Sequence, residues 1–206
     1  VGHQLFTRYG PEAVKTIHTE GGRVFLDLKY HDIPNTVRGA VESATSLGVA
    51  MVNVHACGGT AMMKAAVAAA QTAASTHAAA PPILLGVTIL TSLVDNDLEE
   101  VGIAPPVVVA VRRLAALAHA AGMGGVVASP HEVTIIREVV PLDFVIVTPG
   151  VRFEDYKADD QKRTLGPREA LLRGADYLVI GRPILAARRP VEAAQRIADD
   201  MAAAFS

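Results

Sequence analysis

The segment richest in chemical groups reads Asp27-x-Lys29-x-x-Asp32 and follows a short apolar run. Successive side chains of a strand alternate between its two faces, so Asp27 and Lys29 are expected to share one face. They would lie at the carboxyl end of that strand, where parallel α/β proteins bind their ligands. An ammonium held between two carboxylates is a plausible proton donor. The spacing therefore indicates a general acid, although an Asp–Lys pair that only closes the top of a sheet fits the same pattern.

Two motifs later in the chain could bind an anion. Thr148-Pro149-Gly150-Val151-Arg152 ends one apolar run, and Gly181-Arg182-Pro183-Ile184 ends the last one. Gly181 would let the main chain approach a ligand closely, and Arg182 offers a pair of parallel donors to a phosphate. The polar stretch 151–166, which contains Gln161, fits either a lid over the site or a solvated connection.

Other polar residues have a structural as well as a functional interpretation. Ser92 could hydrogen-bond a polar ring, but serines at strand ends often cap turns. His55 could act as an acid or a base, yet a lone histidine in a strand is more often a core residue. His131-Glu132 and Asp95-Asn96-Asp97 lack the spacing of zinc and calcium sites, so no metal is predicted.

Short apolar runs alternate with longer helical patterns, as in βα units around a parallel sheet. Strands are predicted at Arg23–Leu28, Met51–Ala56, Ile83–Ile89, Gly125–Ala128, Phe144–Thr148 and Tyr177–Ile180. Helices are predicted at Glu12–Glu20, Pro34–Leu47, Thr60–Ser75, Pro105–Ala121, His131–Val139, Pro167–Arg173 and Val191–Phe205. No linker interrupts this alternation, so we expect one domain over residues 1–206.

A (β/α)8 barrel needs eight strands, and only six are predicted here. The chain opens with Val1-Gly2, followed at once by a helix-like segment. Two interpretations fit: an open sheet, or a (β/α)8 TIM barrel whose N-terminal strands are absent from this chain. In the second, Val1-Gly2 is the end of a preceding strand.

Composition excludes several functional classes. The 206 residues carry 19 Lys and Arg against 21 Asp and Glu, a formal charge of -2. Neither nucleic acid nor a membrane surface is an expected partner, because both need a basic excess or stripe. No apolar run reaches the ~20 residues of a membrane helix. The single cysteine, Cys57, cannot form an internal disulfide and fits a reducing cytoplasm.

Taken in order along the chain, these motifs resemble the bacterial orotidine 5′-phosphate decarboxylases. The resemblance rests on Asp27-x-Lys29-x-x-Asp32-Ile33-Pro34-Asn35-Thr36, Val87-Thr88-x-Leu90-Thr91-Ser92, Thr148-Pro149-Gly150-Val151-Arg152, Asp160-Gln161-Lys162-Arg163 and Gly181-Arg182-Pro183-Ile184. It implies a dimeric (β/α)8 barrel without cofactor that converts orotidine 5′-phosphate to UMP and carbon dioxide. Members of that family also carry upstream strands with an aspartate and a Lys-Val-Gly ending, which implies that N-terminal strands are absent here.

The resemblance also implies a role for each matching residue. Lys29 would protonate C6 of the pyrimidine, while Asp27 and Asp32 would hold Lys29 and crowd the substrate carboxylate. Asp32, Ile33 and Thr36 would reach the active site of the neighbouring subunit. The remaining substrate contacts would come from Ser92 and Pro149 at the ring and from Gln161, Gly181 and Arg182 at the phosphate.

Two alternatives remain open. The Asp-x-Lys-x-x-Asp signature also occurs in metal-dependent sugar-phosphate enzymes such as hexulose-phosphate synthase and keto-gulonate-phosphate decarboxylase, which a chelator would inhibit. The other alternative is a paralogue that binds a phosphate ligand without catalysis, which would bind UMP and release no carbon dioxide.

Overall fold

The computed structural model describes residues 1–76, 78, 80–151 and 165–205, and it alternates strands with helices. The strands are β1 (Phe25–Tyr30), β2 (Met51–His55), β3 (Ile83–Val87), β4 (Gly125–Val127), β5 (Val145–Pro149) and β6 (Tyr177–Val179). The helices are α1 (His3–Tyr9), α2 (Glu12–Thr19), α3 (Pro34–Ser46), α4 (Gly59–Thr76), α5 (Asp95–Glu100), α6 (Val107–Ala120), α7 (Val133–Arg137), α8 (Pro167–Leu172), α9 (Arg182–Leu185) and α10 (Pro190–Ala202). Each predicted strand is therefore present, and no strand end differs from its predicted position by more than two residues.

Proline and glycine set several helix ends for local reasons. Prolines stand in the first turns of α3, α8 and α10, where a missing N–H breaks no hydrogen bond. Gly48 follows α3 and Gly174 follows α8, with φ of 74° and 102°. These angles lie in the left-handed region, which glycine adopts without steric cost. The start and stop signals in the sequence therefore correspond to real helix ends.

The chain divides into two compact units, Val1–Val87 with Leu117–Gly125, and Thr88–Ala116 with Val126–Ser206. In the first unit β1, β2 and β3 pair in parallel in chain order. Val1 and Gly2 lie alongside β1, where the Asp27 N–H donates to the Val1 carbonyl at 2.9 Å and Gly2 forms a parallel bridge with Asp27. This pairing fits the interpretation of Val1-Gly2 as strand-like. The apolar centre of the unit includes Leu26, Val52 and Met63, all without solvent exposure.

In the second unit β5 and β6 pair in parallel, with Thr148 opposite Leu178. The Ala128 N–H donates to the Val147 carbonyl at 3.1 Å, which continues the main-chain pairing from β4 to β5. Ile136 and Ile146 are fully buried at its centre. The prediction of a single domain over residues 1–206 stays a prediction.

Two short helices, α5 and α9, were not predicted from the sequence. Helix α5 has six residues, too few for a hydrophobic period to be recognised. It starts where the Asp97 carboxylate accepts the Val94 N–H at 2.8 Å, which satisfies a donor that would otherwise be unpaired at the helix start. Among the described residues, no helix has the length and apolar character needed to cross a bilayer.

Candidate active site

The ammonium of Lys29 and the carboxylate of Asp27 form an ion pair in the first unit. Lys29 Nζ donates to Asp27 Oδ1 at 2.6 Å, and each side chain is 25% exposed. The pair lies near the carboxyl end of β1, where a ligand can reach it. The structure therefore brings together two of the predicted site residues.

The contact depends on an irregularity in β1 and not on simple alternation. Leu26 pairs with Val52, but Tyr30 pairs with Val54, so the three residues 27–29 lie opposite a single position of β2. Lys29 has φ 47°, a left-handed conformation that is rare for a residue with a side chain. Such strained residues are concentrated at functional sites.

The residue opposite this bulge is Asn53, which sequence reasoning did not select. It is fully buried in β2. Its Nδ2 donates to Asp27 Oδ1 at 2.7 Å, and its Oδ1 accepts the Lys29 main-chain N–H at 2.7 Å. The sequence signal that could have identified Asn53 is its position between two valines of an apolar strand. A buried amide needs hydrogen-bond partners, so its presence there indicates polar neighbours.

Two histidines flank the ion pair. The rings of His31 and His55 have centroids 5.4 Å apart and are tilted by 41°. Burial lowers the pKa of His55 from 6.5, and the positive charges of His31 and Lys29 lower it further. The sequence favoured a core position for His55. In the structure His55 is instead half-buried at the end of β2. Gly58 packs closely against these residues. A side chain at this position would not fit, because an added Cβ would collide with Met62 and come within 3.2 Å of His31.

Asp32 does not join the Asp27–Lys29 pair within this chain. Its Oδ1 accepts the Ile33 N–H at 2.6 Å, and among the described residues it makes no ion pair with Lys29. Residues 31–36 are all exposed, and Ile33 is 67% exposed. The segment that contains Asp32, Ile33 and Thr36 is thus accessible to another molecule.

The second unit carries the other predicted site residues. Ser92 lies half-buried in a turn after β3, and Pro149 is the last residue of β5. Gly181 and Arg182 are exposed where β6 passes into α9. A Cβ added at Gly181 would meet no atom of the described residues within 4 Å, so that part of the chain leaves this position open. Gln161 lies outside the described residues, as does most of the predicted lid.

A cavity of about 810 Å³ in the second unit does not coincide with these positions. Its walls include Asp143, Asp176 and Tyr177, which stand at the amino ends of β5 and β6. None of the predicted site residues that the structure describes lines it. The chemistry-bearing side chains lie at the opposite, carboxyl ends, and we therefore do not assign the cavity to the active site.

The arrangement in the first unit suits proton donation. An ammonium on a strained strand end, held by a carboxylate that is itself fixed by a buried amide, is preorganised for transfer to a substrate atom. Within the described ranges, no three His, Cys, Asp or Glu side chains are grouped so that they could hold a metal ion. Fold and site together define a βα protein with a lysine–aspartate ion pair at the carboxyl end of a parallel strand.

Comparison with known families gives this class a more specific identity. Residues 1–197 match the model of the orotidine 5'-phosphate decarboxylase / HUMPS family, and the chain belongs to that family. It is 55% identical, over 100% of its own length and 84% of the relative's, to a protein from Syntrophotalea carbinolica named orotidine 5'-phosphate decarboxylase. The resemblance inferred from the motifs is thus confirmed.

Solved structures give the same fold. The crystal structure of orotidine 5'-phosphate decarboxylase from Lactobacillus acidophilus matches with a TM-score of 0.85 at 36% identity, covering 98% of this chain and 85% of that one. An uncharacterized conserved protein from Geobacillus kaustophilus matches with a TM-score of 0.83 at 37% identity, covering 98% of this chain and 86% of that one. The predicted fold class, the α/β barrel of this family, is confirmed.

Proposed function

We propose that this protein is a carboxy-lyase that converts orotidine 5′-phosphate to UMP and carbon dioxide, without a cofactor and with Lys29 as the proton donor. The observation that carries the proposal is the 2.6 Å ion pair of Lys29 and Asp27 at a strand end. It occurs in a chain that is 55% identical to a protein named for this reaction. Family membership supports the reaction, and the ion pair supports the choice of residue.

In the proposed reaction the bond between C6 of the pyrimidine and its carboxylate breaks. The electron pair stays on C6, and carbon dioxide leaves. Lys29 Nζ gives a proton to C6, which leaves a neutral amine that solvent reprotonates. Asp27 holds the ammonium in place and sets a negative charge near the substrate carboxylate, which favours its departure as a neutral molecule.

Other residues would bind the parts of the substrate that do not react. Ser92 and Pro149 would contact the pyrimidine, with Pro149 beside the ring. Gln161, Gly181 and Arg182 would bind the phosphate, where a guanidinium can donate two parallel hydrogen bonds. The open space at Gly181 supports a close approach of the ligand to the main chain.

We further propose a cytoplasmic homodimer in which Asp32, Ile33 and Thr36 serve the active site of the partner subunit. Two observations support this assignment. Asp32 makes no ion pair with Lys29 of its own chain among the described residues, and the segment 31–36 is exposed throughout. An exposed carboxylate next to an apolar Ile33 suits a contact with a second copy.

The proposal is tested by Lys29→Ala in the natural protein. Removal of a proton donor lowers kcat and kcat/KM together, because the donor acts in the transition state. Binding of UMP should be largely kept. Lys15→Ala is the matched control, since Lys15 is a surface lysine whose side chain is 63% exposed. Decarboxylation by Lys29→Ala within about tenfold of wild type, or about 1.4 kcal/mol, would exclude Lys29 as the donor.

A metal-dependent sugar-phosphate reaction is the second candidate, because the description of the matching family also contains HUMPS. Enzymes of that kind use a divalent metal, so a chelator would abolish their activity. We expect decarboxylation of orotidine 5′-phosphate to be unchanged by the chelator. A protein that binds UMP but releases no carbon dioxide would instead be a non-catalytic phosphate-ligand binding paralogue.

A further inference from the structure

Asn53 is a buried amide whose hydrogen bonds both go to residues of the proposed site. It has no solvent exposure, and its strand neighbours Val52 and Val54 have none either. In such surroundings an unpaired amide would be destabilising, because it loses its hydrogen bonds to water and gains none in return. Both of its polar atoms are hydrogen-bonded. Nδ2 donates to the Asp27 carboxylate and Oδ1 accepts from the Lys29 main-chain N–H, both at 2.7 Å.

The bond to the main chain accounts for how the bulge is held. Regular pairing of β1 with β2 stops after Leu26 and resumes at Tyr30. The Lys29 N–H therefore has no ladder partner, and the Asn53 side chain takes the place of a carbonyl. The left-handed conformation of Lys29, with φ 47°, is sterically unfavourable for a residue with a side chain, so it needs a specific contact to persist.

The bond to the carboxylate sets the direction of the Asp27 side chain. Asp27 Oδ1 accepts from Lys29 Nζ at 2.6 Å and from Asn53 Nδ2 at 2.7 Å. An amide donor carries no charge, so it orients the carboxylate without replacing the ammonium as its ion-pair partner. One side chain thus fixes both the carboxylate and the backbone that carries the ammonium.

We propose that Asn53 is a positioning residue that aligns the Lys29 ammonium through Asp27 and through the Lys29 main chain. The inference rests on the proposed function, in which Lys29 donates the proton. Asn53 itself touches no substrate in this assignment. Misplacement of a reacting group by ~1 Å can cost on the order of a hundredfold in rate, so a positioning residue affects kcat more than substrate binding.

The test compares Asn53→Ala and Asn53→Asp with wild type and with Thr45→Val. Thr45 is a buried residue of α3 whose hydroxyl bonds to the Val41 carbonyl at 2.8 Å, and it is the control for loss of a buried hydrogen bond away from the site. Rates are normalised to the concentration of folded protein that binds UMP. We expect Asn53→Ala to lower kcat by about tenfold or more while the Kd for UMP changes by less than about threefold. Thr45→Val should lose stability and keep kcat.

Asn53→Asp gives a second readout, because it matches the amide in size and keeps an oxygen for the Lys29 N–H. It also sets a second carboxylate against Asp27, and two such groups do not ionise independently. We expect an additional ionisation in its kcat–pH profile that wild type lacks. Unchanged kcat in Asn53→Ala with a wild-type pH profile in Asn53→Asp would overturn the inference. Should either variant fail to fold, the other still decides.

Lys29→Ala is measured in the same assay, so that two kinds of failure are separated. If Lys29→Ala is inactive while the Asn53 variants behave like wild type, only the role of Asn53 is refuted. If Lys29→Ala keeps wild-type activity, the proposed proton donor is refuted and the positioning role falls with it.

Discussion

Asp27 Oδ1 receives one hydrogen bond from an ammonium and one from a neutral amide, at 2.6 and 2.7 Å. This pairing of donors matters in the proposed reaction, in which Lys29 is the proton donor. Once Lys29 has lost its proton its attraction for Asp27 weakens, whereas the bond from Asn53 is unchanged. The carboxylate therefore keeps its direction through the reaction, and less reorganisation is needed before the next turnover.

Arg182 is expected to act on the substrate far from the reacting ring. A charge-assisted bond to the phosphate dianion contributes about 1.5–3 kcal/mol, so Arg182→Ala should lower kcat/KM for orotidine 5′-phosphate by about tenfold or more. Turnover of the phosphate-free nucleoside should barely change, because it never used the contact. The measurement is kcat/KM for both substrates in both enzymes.

Arg189→Ala is the matched control for Arg182. The Arg189 side chain is 76% exposed and pairs with Glu192 at 2.5 Å near the start of α10, so its loss should leave both substrates unaffected. An equal fall for nucleotide and nucleoside in Arg182→Ala would mean that Arg182 supports the fold or the ring site, and the phosphate role would be withdrawn.

His55 should make stability depend on pH. Its folded-state pKa lies below 6.5, because burial and then the charges of His31 and Lys29 oppose its protonation. As the pH falls below 6.5, the unfolded chain therefore takes up this proton before the folded one. The free energy of unfolding consequently falls with decreasing pH in that window, and above it His55 contributes no pH dependence.

The measurement is urea denaturation of wild type and His55→Gln between neutral and mildly acidic pH. Wild type should lose more stability on acidification than His55→Gln. Ser46→Ala, which removes an exposed hydroxyl of α3 and no titratable group, should lose as much as wild type. Identical curves for wild type and His55→Gln would show that His55 has the same pKa in both states.

At the scale of elements, the strands and most helices followed from the alternation of apolar runs and from proline and glycine positions. The bulge at residues 27–29 did not, because it depends on the register between two strands that are distant in sequence. The expectation that Asp27 and Lys29 lie together was correct, although alternation alone does not explain the contact. The role of Asn53 in β2 was not predicted either, because its partners Asp27 and Lys29 lie in β1, more than twenty residues away in sequence.

Arg137 connects α7 to the segments that lead into β5 and β6. Its side chain is only 15% exposed, and its guanidinium donates to Phe144 O at 2.7 Å and to Asp176 Oδ2 at 2.6 Å. It also donates to the Gly174 carbonyl at 2.8 Å. Few side chains could serve three acceptors in these directions, and an ammonium lacks the planar geometry to do so.

Arg137→Lys should therefore reduce the free energy of unfolding by about 2 kcal/mol, measured by urea denaturation, because acceptors that are partly buried lose their donors. The control is Arg173→Lys, whose partner Glu169 is 54% exposed and which should change stability by less than about 0.5 kcal/mol. Activity per folded molecule should be kept in both, since Arg137 serves the amino ends of β5 and β6. A loss of kcat in Arg137→Lys would contradict this separation of stability from catalysis.

At the scale of the whole molecule, the question is whether one chain supplies a complete active site. Asp32 is exposed, and among the described residues it makes no ion pair with its own Lys29. In the proposed dimer, Asp32 would instead lie beside the Lys29 of the other copy. In a closed dimer with twofold symmetry this contact occurs twice, because each copy places its segment 31–36 at the active site of the other.

The dimer is tested by mixing two inactive variants, Asp32→Ala and Lys29→Ala. Random exchange of subunits makes half of the dimers mixed, and each mixed dimer has one site with an intact Lys29 and the intact Asp32 of the other chain. About one quarter of the wild-type activity should then return. The matched control mixes Asp27→Ala with Lys29→Ala, two residues that one chain brings together at 2.6 Å. That mixture should stay inactive, because each of its sites lacks one of the two. No recovery in the first mixture, after subunit exchange has been verified by mass, would mean that Asp32 acts within its own chain.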